Sequence, residues 1–182
     1  MTQANYELFE TFEKNSSELY WLALLLTANT DRGVQAFDRA LDFAADENPG
    51  FGGFMNEWAR KLVIVEALGT IRKELRASIE RTKRLDAADG GWARPVLTKP
   101  EIDREAFEEA VMAIDAFPRC AMLLTIHEGM PIGAVSLLLN ADEALTRVAQ
   151  RIGIVQLSRN LAGNSGRDPY PGLQPIPVLS LS

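Results

Sequence analysis

The side chains best able to do covalent or metal chemistry are scarce in this chain. Among 182 residues there is one histidine, His127, and one cysteine, Cys120. A protein-bound metal needs several ligands at helix or hairpin spacing, and none flank His127. It stands beside Glu128 at the end of a predicted helix, where a cation complements the helix dipole. Cys120 lies next to Met122, Leu123 and Leu124, the setting of a small buried hydrophobe rather than of an activated thiolate. A single cysteine also excludes an internal disulfide and a cysteine-rich metal site. The stretch "GFGG" at 50–53 precedes a helix but follows no strand, so it lacks the context of a phosphate-cradling loop. No carboxylate pair stands apart from ordinary solvated helix faces. The sequence therefore predicts no catalytic residue, no metal and no cofactor, and a protein that is not an enzyme.

The remaining chemistry is electrostatic. The net charge is −6, which runs against an obligate nucleic-acid binder, because phosphate neutralisation supplies most of such affinity. Distribution matters more than the sum. Residues 60–84 hold eight basic side chains (Arg60, Lys61, Arg72, Lys73, Arg76, Arg81, Lys83 and Arg84) against Glu66, Glu74 and Glu80, a local excess of +5. Residues 101–163 carry a net −4. The first segment has the charge to meet phosphates, and the second does not.

The elements that must position these groups are helices. An apolar fraction of 47% suits a protein that buries a core. "ELYWLALLLTAN" follows an N-cap at Ser16-Ser17. Thr30-Asp31 opens a second helix with Val34, Phe37, Leu41 and Ala44 or Ala45 at spacings of three and four. "ENPGFGG" breaks the pattern. One long helix is then predicted from about Phe54 to Leu85, with Trp58, Leu62, Val65 and Leu68 on its buried stripe. Residues 86–100 lose periodicity and gain Gly and Pro, as a linker does. Thr98 and Glu101 have capping-box spacing, with Pro100 in the first turn of a new helix. Phe107, Ala110, Val111 and Ile114 point inward from it, and Pro118 starts the next. "IGAVSLLL" and "DEALTRVAQRIGIVQLSRNL" follow, joined by Asn140-Ala141-Asp142 in the outline of a helix-turn-helix. Asn140 is suited to the left-handed turn position, Asp142 to the cap, and Glu143 to an ion pair with Arg147 four residues on. The fold class is all-α: two small helical domains (5–85 and 101–163) joined by a flexible linker (86–100), the second containing the helix-turn-helix, with an extended tail at 164–182. No run approaches the ~20 apolar residues of a membrane span, and Met1–Glu10 shows no secretory signal, so a cytoplasmic protein without membrane contact is expected.

Three stretches, in this order, resemble the extracytoplasmic-function sigma factors of bacterial RNA polymerase. They are "LYWLALLLTANTDRGVQAFDRAL", "FGGFMNEWARKLVIVEALGTIRKELR" and "FPRCAMLLTIHEGMPIGAVSLLLN". The likeness covers roughly residues 6–162. It implies a subunit that binds core RNA polymerase and directs it to promoter DNA, with an anti-sigma factor as a further partner. It implies that Val34, Gln35, Asp38 and Leu41 lie on the polymerase-clamp helix. It places Trp58, Arg60 and Lys61 in the promoter-melting stretch and Arg72, Lys73 and Arg76 at its −10-facing end. Thr146, Arg147, Gln150 and Arg151 fall on the helix that would read the −35 element.

The chain departs from that pattern where DNA would be read. Pro131, Gly133 and Ala134 replace a usual serine and two acids, and the turn usually written Leu-Gly-Ile-Ser is Leu139-Asn140-Ala141-Asp142. Asp142 and Glu143 would face phosphates at the start of the reading helix and repel them. Two readings stand: a sigma-factor-like protein that retains promoter contact, or a sigma-fold interaction module that has lost it.

Overall fold

The computed structural model describes residues 10–46, 55–88 and 103–164, and among them every regular element is helical. A helical turn at 10–14 leads into α1 (Ser16–Thr27), α2 (Thr30–Asp46), α3 (Met55–Thr70), α4 (Arg72–Ala88), α5 (Arg104–Met112), α6 (Ala116–Met122), a single π-turn (Leu123–His127), α7 (Ile132–Leu139) and α8 (Glu143–Asn164). The tail from 165, the stretch 47–54 and the Thr98–Glu101 capping box lie outside the described residues. So does the expected linker, except that 86–88 continue α4.

Several starts differ from expectation by a few residues, each for a local reason. Asn15, not Ser16, occupies the cap position of α1, and its side-chain amide donates to Thr11 O. Asn29 caps α2 by accepting from the Arg32 N–H at 3.0 Å. Asp103 is extended (φ −63°, ψ 146°) and caps α5, so that helix begins at Arg104. Asp115 caps α6 three residues before Pro118, which leaves Pro118 in the first turn, where its missing N–H is harmless.

The long helix expected over 54–85 is two helices. The Thr70 hydroxyl donates to Ala67 O at 2.8 Å, and the Ile71 N–H reaches the same carbonyl only at 3.4 Å. A side chain that competes for a ladder carbonyl bends or breaks a helix. The break redirects the chain: α3 packs on α1 and α2, whereas α4 packs on α6 and α8.

Buried faces follow helix-to-helix distance. In α2 the buried residues are Gly33, Ala36, Ala40 and Ala44, while Val34 is 42% exposed. The expected stripe through Val34 is thus rotated toward the small residues. A Cβ on Gly33 would stand 3.2 Å from Leu24 Cα, so α1 and α2 approach too closely for a branched side chain between them. In α3 the buried residues are Ala59, Val63, Ile64, Ala67 and Leu68, so of the expected stripe Leu68 is buried, Trp58 and Leu62 are half-buried and Val65 is outside.

One contiguous apolar cluster runs from Phe12 through α1, α3, α4 and α6 to Leu145 and Ala149 of α8. The two sequence segments expected to form separate domains therefore share a core. Ala110, Val111 and Ile114 are buried and Phe107 packs against the cluster, as the periodicity of α5 predicted. No helix among the described residues is long and apolar enough to cross a membrane.

Candidate interaction surfaces and the junction between the halves

The turn joining α7 to α8 takes the geometry its residues dictate. Asn140 is left-handed (φ 52°, ψ 49°), and Asp142 Oδ1 accepts from the Leu145 N–H at 2.8 Å. Arg147 pairs with Glu143 at 3.1 Å, and both lie mostly in solvent, where such pairs contribute only tenths of a kcal/mol. Thr146 is fully buried and its hydroxyl donates to Asp142 O at 2.8 Å. Gln150 is half-buried, and its amide donates to Thr125 Oγ of the π-turn at 2.9 Å. The outward face of α8 is thus Glu143, Ala144, Arg147 and Arg151, of which only Arg151 is a cation without an ion pair among the described residues.

The cations of the 60–84 stripe divide. Arg60 is drawn into the protein: its Nε and Nη2 donate to the two Glu128 oxygens at 2.8 and 2.6 Å. The Glu128 side chain is 6% exposed. The bidentate bond to Glu128 raises the Arg60 pKa against the opposing effect of burial, with Glu18 adding to the rise. Arg81 makes a second bidentate pair, with Asp115, and Lys83 pairs with Glu80. Lys61, Arg72, Lys73, Arg76 and Arg84 are exposed, with no ion pair among the described residues. On α4 these cations stand opposite the buried face of Leu75, Ser78, Ile79 and Thr82. Trp58 is half-buried and packs against the core.

Sequence reasoning did not find the junction these pairs build. The π-turn, closed by Glu128 N–H to Leu123 O at 3.0 Å, carries His127 and Glu128 to the ends of α1 and α3. There the His127 ring meets Trp21 edge-on at 5.5 Å. The Trp21 indole N–H donates to Glu108 at 2.6 Å, Phe107 lies at 6.1 Å, and the Arg104 guanidinium sits over the indole at 5.1 Å. On the other side the buried Ser78 hydroxyl accepts from the Phe117 N–H at 2.8 Å, so α4 caps α6 from outside that helix. Arg119 is buried and holds Ile114 O and Leu26 O, with its Nε unpartnered. Burial lowers its pKa against the pull of Cys120, Asp115 and Glu74. Cys120 contacts Leu26 O, and burial pushes its thiol up to about 11, an inert protonated state. The only sequence signals for this junction were polar residues at otherwise apolar positions, Arg119 above all.

Among the polymerase-facing candidates, Val34, Gln35 and Asp38 are exposed on the outer face of α2, while Leu41 is half-buried against the core. The described residues contain no group of three side chains able to hold a metal ion.

Asp115 gives the junction a pH dependence. Burial alone would raise its carboxyl, but the Arg81 guanidinium, the Ser78 hydroxyl and the Ala116 N–H outweigh that and hold it below the usual aspartate value. A folded-state pKa below the unfolded one contributes stability that is present above the unfolded value of about 4 and lost as pH falls through the folded value. Urea midpoints should fall more steeply below about pH 4 in the natural protein than in Asp115→Asn. Parallel profiles would remove this role from Asp115. Compared with protein-family profiles, with curated proteins and with solved structures, the chain matches none.

Proposed function

We propose that this protein is a sigma-fold interaction module: a cytoplasmic, non-enzymatic transcription protein that binds core RNA polymerase and does not read the −35 element with α8. The observation that carries this reading is the fate of three of the four side chains on the helix that would read it. Thr146 is buried, Gln150 is bonded to Thr125, and Arg147 is paired with Glu143. Gly133 adds support. It stands where the resemblance expects an acid, and a Cβ there would lie 3.0 Å from Glu143 Oε1. A carboxylate at 133 would repel Glu143, so the negative charge sits instead at the start of α8, where phosphates would come. The exposed Val34, Gln35 and Asp38 leave the outer face of α2 available to the polymerase clamp.

The test pairs a pull-down on core polymerase with fluorescence anisotropy on promoter duplex across a salt series. Polymerase capture, with DNA retention unchanged in Arg147→Ala/Arg151→Ala, is expected. Failure to capture polymerase would sink the reading.

A second reading keeps promoter contact on α4, favoured by Arg72, Lys73 and Arg76, which are exposed and have no ion pair among the described residues. It predicts that replacing all three with alanine lowers the slope of log affinity against log salt by about 2 to 3.

A further inference from the structure

Where α4 meets the α7–α8 turn there is a concavity of ≈ 280 Å³. Its buried lining residues, Ile79, Ser136 and Leu145, form the floor, and the exposed ones, Lys83, Leu137, Asn140 and Asp142, form the rim. Leu137 is 83% exposed and its neighbour Leu138 is 37% exposed. A leucine standing almost wholly in water beside a hollow with an apolar floor leaves removable apolar area on both.

We propose that this face is the two-fold interface of a homodimer. A two-fold contact places one patch against its own copy, so the patch must be complementary to itself. This one is, in shape and in charge. It carries a projecting side chain, Leu137, next to a hollow floored by Ile79 and Leu145. It carries one cation, Lys83, and one anion, Asp142. A two-fold axis through the patch sets Leu137 of each copy in the hollow of the other and brings each Lys83 toward the Asp142 opposite. Lys83 is free to exchange, since its pair with Glu80 at 2.7 Å is exposed on both sides and so weakly held. Asp142 commits Oδ1 to the Leu145 N–H and keeps Oδ2 for a cation.

Other occupants fit less well. A lining with a single cation, Lys83, offers little hold to a nucleic-acid backbone or an anionic lipid surface. The dimer would cover the start of α8. The inference stands on the patch alone and does not depend on the function proposed above.

Sedimentation velocity on the full chain, from about 1 to 200 µM, tests it, because a small interface of this kind belongs in the micromolar range. The weight-average mass should climb from 20.1 kDa toward twice that value. Leu137→Asp should weaken association at least ~10-fold. Lys83→Glu should also weaken it, by setting like charges together, and Lys83→Glu/Asp142→Asn should recover part of the loss, since asparagine preserves the cap. A chain that stays monomeric throughout, or a dimer indifferent to either single substitution, overturns the proposal. If Leu137→Asp does not fold, Lys83→Glu and its double variant decide alone.

Discussion

Gly153→Ala should destabilise the protein by about 1 to 2 kcal/mol, although the same exchange in an open helix is stabilising. Alanine is favoured over glycine inside a helix by about 1 kcal/mol. Against that, a Cβ on Gly153 would lie 2.5 Å from Pro118 O, 2.9 Å from Met122 Cβ and 3.1 Å from Pro118 C. Two of those atoms are backbone, so no rotamer change relieves the clash. Helix α8 must instead move off α6, along a contact lined by Cys120, Met122, Ala149 and Ile152, all buried. Overpacking of this kind typically costs about 1–3 kcal/mol, occasionally more. Equilibrium urea denaturation would read the loss as a lower midpoint at unchanged slope. Gly153→Val should be worse. Unchanged or increased stability in Gly153→Ala would mean that the two helices do not cross as closely as this.

Arg60→Met should destabilise by about 3 kcal/mol, because it strands Glu128. The guanidinium is the bidentate partner of this 6%-exposed carboxylate. Among the described residues the neighbouring His127, 3.6 Å away, is the one other basic group in contact with it. Truncating the opposite partner, in Glu128→Ala, should be milder, since the Arg60 side chain retains 28% exposure and can regain water. The double variant Arg60→Met/Glu128→Leu should recover most of the loss, because a buried ion pair replaced by apolar groups of similar size is often neutral or better. The double-mutant cycle therefore carries the test, with a coupling of at least ~1 kcal/mol expected. Additive losses would mean that the two groups do not depend on each other.

These two residues show different limits of reading from sequence. Gly153 interrupts an otherwise good helical pattern, which marks a helix interior where glycine has a packing reason, but not which helix it meets. Arg60 looked like one more cation in a basic stripe. Its partner is 68 positions away and reaches it only because a π-turn rotates Glu128 toward α3.

What the sequence determined by itself was local. The helical character of the described residues, the left-handed Asn140, the Asp142 cap and the Glu143–Arg147 pair all depend on groups within a few positions of one another, and each was legible. Tertiary structure decided the rest. It turned α2 onto Gly33, Ala36, Ala40 and Ala44 rather than Val34, because close helix approach selects small residues over hydrophobic ones. It joined both halves through one core, buried Thr146 and drew Arg60 onto Glu128 while leaving Arg72, Lys73 and Arg76 in water. Whether a polar side chain faces solvent or a partner is set by what packs over it, and at this junction the partners come from helices distant in the chain.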